Sequence, residues 1–227
     1  MASSSMGNCY LCGATVSKTT MTNHLLRSHK LKAHSIPQGE EKCYLLKVEG
    51  VYDEDYWLYF DVPTSTRLWE VDEFLRKIWL ECCHHMSAFY IKKYEQLDED
   101  LKLHAFHVKD KLFHEYDFGT TTKTVITIVG ETTRKKKKKY VRLLARNIPR
   151  TFSCASCGES ATVICTESKY TTNNPFFCEA CFKANGHDEF LLLPITNSPR
   201  MDECGYDGER DVFGFDPQKK SIIYPFK

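Results

Sequence analysis

Two matched cysteine pairs, Cys154-Ala-Ser-Cys157 and Cys178-Glu-Ala-Cys181, are the residues of this chain best suited to chemistry. Each C-x-x-C lets one turn of backbone aim two thiolates at one ion. The twenty residues between the pairs suffice for a loop that brings both turns together. Tetrahedral Zn2+ is the natural occupant, and four sulfur donors leave no open coordination position, so the expected site is structural rather than Lewis-acidic. The competing reading, unrelated buried or redox cysteines, is disfavoured by the spacing.

A second set lies near the start, Cys9-x2-Cys12-x11-His24-x4-His29, which fits a C2H2 finger with one residue fewer than usual between the second Cys and the first His. Val16 and Met21 fall where a ββα finger needs its two small-core hydrophobes. His24 and His29 fit a helix ending near the second ligand, and the five-residue step requires the last turn to tighten or widen. Two structural zinc ions are therefore expected.

A third group, Cys82-Cys83-His84-His85, looks like a metal cluster. Adjacent side chains diverge on both a helix and a strand, so four consecutive residues do not close one tetrahedron. At most one or two are expected to share an ion with groups elsewhere, and the favoured reading is core cysteines with a hydrogen-bonded histidine.

The elements that must carry these groups follow from the apolar pattern. Residues 9–30 need two short strands and a helix. Residues 31–41 carry Pro37 and Gly39 without periodicity and read as a linker. Residues 43–49 and 56–62 read as strands. Leu68, Val71, Phe74, Leu75, Ile78 and Trp79 form one face of a helix over 68–80, capped by Thr66 or Ser65. Residues 87–91, 113–119, 124–129 and 140–146 read as further strands.

The predicted fold class is α+β: a mostly antiparallel, β-grasp-like sheet with one packed helix, flanked by an N-terminal ββα finger and a C-terminal four-cysteine segment. The expected divisions are a finger over 1–30, the linker 31–41, a core over 42–150, the zinc segment 151–190 and a tail over 191–227. The tail's Phe213, Phe215, Ile222, Ile223, Tyr224 and Phe226 are too apolar to be free and are expected to lie against the core or a partner.

Net charge is +1, but it is unevenly spread. Nothing acidic precedes Glu40, and Arg134, Lys135, Lys136, Lys137, Lys138 and Lys139 form an unbroken basic run. Read as a hairpin tip between two strands, that run would present its cations to a polyanion; read blandly, it is solvated loop. Arg142 and Arg146, evenly spaced on one strand, are expected to share a basic sheet face.

In the finger, Ser17, Thr20 and Asn23 occupy base-facing positions, but no Arg is placed to take guanine. Phosphate affinity through Lys18, Arg27 and Lys30 is the stronger expectation, with protein docking as the finger's other employment. No apolar run reaches the roughly 20 residues that cross a bilayer, so no membrane partner is expected. The N-terminus MASSSMGN lacks a secretory pattern, and eleven cysteines then point to a reducing, cytoplasmic setting.

Several motifs in order, Leu75-Arg-Lys-Ile-Trp-Leu-Glu-Cys-Cys-His-His-Met-Ser-Ala-Phe, Tyr116-Asp-Phe-Gly, Ala145-Arg-Asn, Leu193-Pro-Ile-Thr-Asn-Ser-Pro-Arg-Met and Cys204-Gly-Tyr, carry a likeness over about 43–208. In these the chain resembles the plasmid pRiA-type Orf-three-like domain family, the IS-element passenger TnpR-like proteins, with the finger added outside the family core. The resemblance implies a small α+β protein of mobile elements, and its resolvase-like label favours DNA over RNA as partner. The family pattern has a further C-x-x-C in the zinc segment. Here Cys165-Thr-Glu-Ser keeps only the first cysteine, which leaves Cys165, His187 and Cys204 as secondary metal candidates.

Catalysis is not expected. A resolvase-type centre needs a serine amid arginines; Arg142, Arg146 and Arg150 come close together with Ser153 near, but Arg142 and Arg146 at even spacing on a strand better describe a basic sheet face. A metal nuclease needs clustered carboxylates. Asp98, Glu99, Asp100, Glu115 and Asp117 offer these without any pattern that selects them over a solvated face, and Asp117 reads more simply as the organiser of the turn at Gly119. A protein-interaction adaptor with structural zinc modules is the alternative to nucleic-acid binding.

Overall fold

The computed structural model describes residues 5–33, 35–92, 95–136, 140–208 and 222–226. In chain order the strands of the large sheet are β1 (Met6–Cys9), β2 (Thr15–Ser17), β3 (Glu40–Gly50), β4 (Trp57–Pro63), β5 (Ser87–Lys92), β6 (Glu95–Leu97), β7 (Lys111–Tyr116), β8 (Thr122–Lys135) and β9 (Tyr140–Asn147). A small sheet holds β10 (Val163–Cys165), β11 (Phe176–Phe177) and β12 (Leu192–Pro194), and β13 (Ile222–Pro225) returns to pair with β9. The helices are α1 (Lys18–Asn23), α2 (Leu68–Leu75), α3 (Ser168–Thr171) and α4 (Glu179–Ala184).

The large sheet runs β2-β1-β9-β4-β3-β8-β7-β5-β6, and its pairings are antiparallel. This is an α+β architecture dominated by one antiparallel sheet, and the pairing extends well beyond a ββαββ unit. Strand β4, Trp-Leu-Tyr-Phe-Asp-Val-Pro, is buried at every position because both faces of the sheet are covered there.

On one face lies α2. Its Leu68, Val71, Phe74 and Leu75 pack with Leu46, Val48, Leu58 and Phe60 in the main core, and the Phe74 and Phe60 rings meet edge to face at 4.8 Å. The helix continues as a wider π turn, Arg76–Leu80, which lets Ile78, Trp79 and Leu80 all turn inward. Its start is fixed by the Arg67 N–H donating to Glu70 Oε2 at 2.7 Å rather than by Thr66 or Ser65.

The other face is covered by the N-terminal segment. Cys9, Met21 and Leu25 pack with Leu45, Trp57, Tyr59, Leu144 and Ala145 in a second core, and β1 is hydrogen-bonded to β9. Two glycines permit that approach. A Cβ at Gly7 would run into the Trp57 ring, and one at Gly130 would lie 2.9 Å from Leu26 Cδ2. The expected finger is thus an integral edge of the sheet, and the expected linker ends in β3.

Two expectations about the basic groups are corrected. Strands β8 and β9, which flank the lysine run, are separated by β3 and β4, so the run is not the tip of a hairpin; Lys137, Lys138 and Lys139 lie outside the described residues. Arg142 and Arg146 do not share a face. The β4–β9 register skips Leu144, which reverses the alternation, so Arg142 stands opposite Asp61 and Arg146 opposite Leu58.

Tyr224 and Phe226 pack on the main core as expected of the tail, whereas Phe213 and Phe215 lie outside the described residues. Among the described residues, no helix is long and apolar enough to cross a membrane.

Candidate metal centres

Three groups of four Cys or His side chains converge, with the ligand atoms of each group within 4.8 Å of one another: Cys9, Cys12, His24, His29; Cys82, Cys83, His85, Cys204; and Cys154, Cys157, Cys178, Cys181. Each can hold a metal ion. Zinc–sulfur and zinc–nitrogen bonds of about 2.3 and 2.0 Å define a tetrahedron with edges of roughly 3.8 Å between sulfurs, 3.5 Å between sulfur and nitrogen and 3.3 Å between nitrogens.

The N-terminal group meets that figure. Cys9 Sγ lies 3.4 Å from His29 Nε2, Cys12 Sγ 3.4 Å from His24 Nε2, and the two Nε2 atoms are 3.2 Å apart. A tight turn with Gly13 at φ 75° follows Cys12 and sends the chain into β2. After α1 the backbone widens into a π turn, His24–Ser28, whose His29 N–H donates to the His24 carbonyl at 3.3 Å. That widening carries a five-residue step back to the same side of the helix. Burial of Cys9 beneath the sheet raises its thiol to about 11, so metal binding there must displace a firmly held proton.

The four-cysteine group sits on its own small scaffold. Cys154–Cys157 forms a turn before β10, and Cys178–Cys181 forms the first turn of α4, with Cys157 Sγ 3.8 Å from Cys178 Sγ. Beneath them Cys154, Val163, Cys165, Phe177 and Phe182 make a separate core. Burial would raise the Cys154 thiol, but backbone N–H groups of Cys157, Cys178 and Ser156 point at it and bring it down to about 6. Cys181, hydrogen-bonded first by Cys178 and then by Cys157, is pushed up to about 12. One thiolate is thus present near neutral pH to receive the ion.

The middle group corrects the reading of Cys82-Cys83-His84-His85. Three of its four residues do converge, because this stretch is neither helix nor strand. His84 adopts φ 58° and swings His85 back toward the cysteines. The fourth donor, Cys204, comes from the segment after the small sheet, with its Sγ 3.2 Å from His85 Nε2. Sequence spacing carried no sign of a partner more than a hundred residues away. Cys204 therefore does not join Cys165 and His187, which stand 3.8 Å apart without further donors in a described cluster.

Of the nine described residues expected to meet nucleic acid, four are committed inside the protein and five are exposed. Lys18 binds Glu49 at 2.6 Å and Glu54 at 3.2 Å. Arg134 is buried, stacks on Tyr140 and pairs with Asp61, which Arg142 also grips. Arg146 is buried and donates to the Asn197 carbonyl. Asn23, Arg27, Lys30, Lys135 and Lys136 remain exposed.

The carboxylates weighed for catalysis are similarly engaged. Glu115 pairs with Lys123 at 2.7 Å, Asp100 with Arg67 at 2.5 Å, and Asp98 accepts the Asp100 N–H at 2.8 Å. Asp117 accepts the Gly119 N–H at 2.9 Å, as expected of a turn organiser, and also the buried Arg200 guanidinium at 2.5 Å. Burial acts to raise the Asp117 carboxyl, but Arg200 outweighs it and holds the group well below the ordinary carboxylate range.

No family model matches the chain, and no curated protein matches it. Among solved structures the chain is similar to MM3350 from Methanosarcina mazei Go1, a crystal structure titled as a protein of unknown function, with 17% identity and a TM-score of 0.41 over 47% of this chain and 69% of that one.

Proposed function

We propose that this chain is a non-catalytic, zinc-organised binding protein, with the N-terminal and four-cysteine groups as structural Zn2+ sites and recognition of another macromolecule as its task. The observation that carries the reading is the donor geometry. Two sets of four Cys and His donors each converge within 4.8 Å, the N-terminal set at 3.4, 3.4 and 3.2 Å and the four-cysteine set with a 3.8 Å sulfur–sulfur edge, and four such donors close a zinc tetrahedron with no position for substrate or activated water. Thiolate and imidazole donors select zinc over the hard cations that bind oxygen.

On this reading, residues 5–29 act as a C2H2 finger whose ββα order is fused to the sheet. The hairpin, helix and following strands between 40 and 147 form the α+β core that the family likeness implies. The proposed partner is a protein, which makes the chain an adaptor. Lys18, Arg134, Arg142 and Arg146 are spent on internal carboxylates and carbonyls, which removes much of the basic face that a polyanion would need.

Nucleic acid remains the second reading because Arg27, Lys30, Lys135 and Lys136 are exposed. A salt titration against duplex DNA, single strands and RNA separates the two. The adaptor reading expects no retention that survives moderate salt. A complex whose log affinity falls linearly with log salt, with a slope reduced when Lys135 and Lys136 are neutralised, would replace it with the polyanion reading. Metal analysis tests the zinc itself. Loss of one ion in each of Cys9→Ser and Cys154→Ser is expected, and a folded, metal-free wild type would end the proposal.

A further inference from the structure

From the middle cluster we infer that Cys82, Cys83, His85 and Cys204 form a third, exchangeable site for a thiophilic divalent ion, whose ion fastens the segment 195–206 to the end of α2. The donor set is three thiolates and one imidazole, a structural zinc composition, and no hard-cation oxygen is among them. Cys83 Sγ and Cys204 Sγ are 4.0 Å apart, close to a tetrahedral edge.

The surroundings are built for it. Arg200, fully buried, places its guanidinium 3.6 Å from Cys82 Sγ, where it offsets the excess negative charge of three thiolates around one divalent ion. The same guanidinium holds Asp117, whose Oδ2 lies 3.7 Å from His85 Nε2, and the Tyr116 hydroxyl stands 3.8 Å from Cys82 Sγ. Arg200 and Tyr116, packed against Cys82, orient that ligand, while Asp117 faces the donor nitrogen of His85.

Backbone strain gathers at the same place. Six described non-glycine residues have positive φ, and four of them are His84 (58°), Asp117 (64°), Asp202 (70°) and Cys204 (47°). Left-handed backbone at non-glycine residues persists where the surrounding structure holds it, and such residues collect at ligand clamps. One of the four is itself a ligand and one adjoins a ligand.

The ion's mechanical role follows from what Cys204 is attached to. Upstream of it, Asn197 bonds Asn147 at 2.6 Å, the Ser198 hydroxyl donates to the Trp79 carbonyl at 2.6 Å, and Lys169 pairs with Asp202 and Glu203. This strap is a second connection between the four-cysteine module and the large sheet, beside the stretch 148–153 that leads in from β9, and Cys204 is its far anchor. Each of the other two clusters contains one buried cysteine, Cys9 or Cys154. Here Cys83 and Cys204 are both exposed, and Cys82 is only partly covered. Competing thiols and chelators therefore reach this ion first.

The test counts ions on the full-length protein. Native mass spectrometry of the zinc-loaded chain is expected to show three ions, and a chromophoric zinc chelator is expected to remove one of them in a separate, faster phase. Cys204→Ser and, independently, Cys83→Ser are expected to hold two ions and to lack that phase. Two ions in the wild type, or a fast phase untouched by both variants, overturns the inference. It fails separately from the proposed function: two ions that fall to one in Cys9→Ser and in Cys154→Ser would leave that reading standing.

Discussion

The N-terminal and four-cysteine clusters have similar donor geometry and opposite mechanical settings. The N-terminal segment is woven into the large sheet: β1 is a rung beside β9, and Met21, Leu25 and Cys9 are buried against Trp57, Tyr59 and Leu144. The four-cysteine module has three short strands and a core of five buried side chains, two of which are cysteines. An ion in the first place adds a clamp to a surface already held by apolar packing. In the second it substitutes for a core too small to hold itself, which is the usual circumstance of metal-dependent folding.

The sharpest way to break this contrast is to remove one ligand from each. Cys154→Ser is expected to unfold the module as a unit, so that amides of β10, β11, β12 and α4 lose hydrogen-exchange protection while β3, β4 and β8 keep theirs. Structural zinc supplies on the order of 10 kcal/mol to a small metal domain, about as much as the burial of all five core side chains together. Cys12→Ser, which removes an exposed ligand, is expected to loosen His24 and the end of α1 while the β1–β9 hydrogen bonds stay protected. Equal loss of protection around both sites would show that the sheet does not hold the N-terminal segment.

A smaller effect probes the sheet's grip directly, with no ligand touched. Gly7→Val drives a side chain into the Trp57 ring at the β1–β9 junction and is expected to cost about 1–3 kcal/mol, read as a lower urea midpoint. If the N-terminal segment were held by its ion alone, the strand would shift aside and the midpoint would not move.

These settings were unequally legible in the sequence. The two matched cysteine pairs, the C2H2 spacing and the apolar stripe from Leu68 to Trp79 are local patterns, and each reports a local geometry. The five-residue step between the histidines called for a last turn either tightened or widened, and the structure widens it at His24–Ser28. What spacing could not carry was long-range placement. Cys204 is remote from Cys82, and the left-handed residue at His84 that aims His85 leaves no mark in a periodicity. The skipped positions at Leu144 and at Val129 are likewise set by pairing with distant strands, and the first of them sent Arg146 to the face opposite Arg142. Charge was legible only as composition: Lys18 and Arg134 look like free cations until β3 and β4 bring Glu49, Glu41 and Asp61 beside them.

The subtlest test of the woven N-terminal segment is electrostatic and depends on pH. Glu49, on β3, receives Lys18 at 2.6 Å and Lys47 at 2.8 Å, so one carboxylate pins the first residue of α1 to the sheet. Its burial acts to raise the pKa, but the two lysines outweigh it and hold the carboxyl below its ordinary value. The unfolded chain therefore binds the proton more tightly than the folded one. The pair's stabilisation is present in full above the unfolded carboxyl value of about 4.3, and it is lost as pH falls through the lower folded value. Glu49→Gln is expected to lower stability by about 1 kcal/mol at pH 7 and to converge on the wild type in acid, once the pH is below the depressed folded value. Urea titrations at the two pH values read the difference, and a deficit that persists unchanged in acid would assign it to packing rather than to the charge that ties the N-terminal segment down.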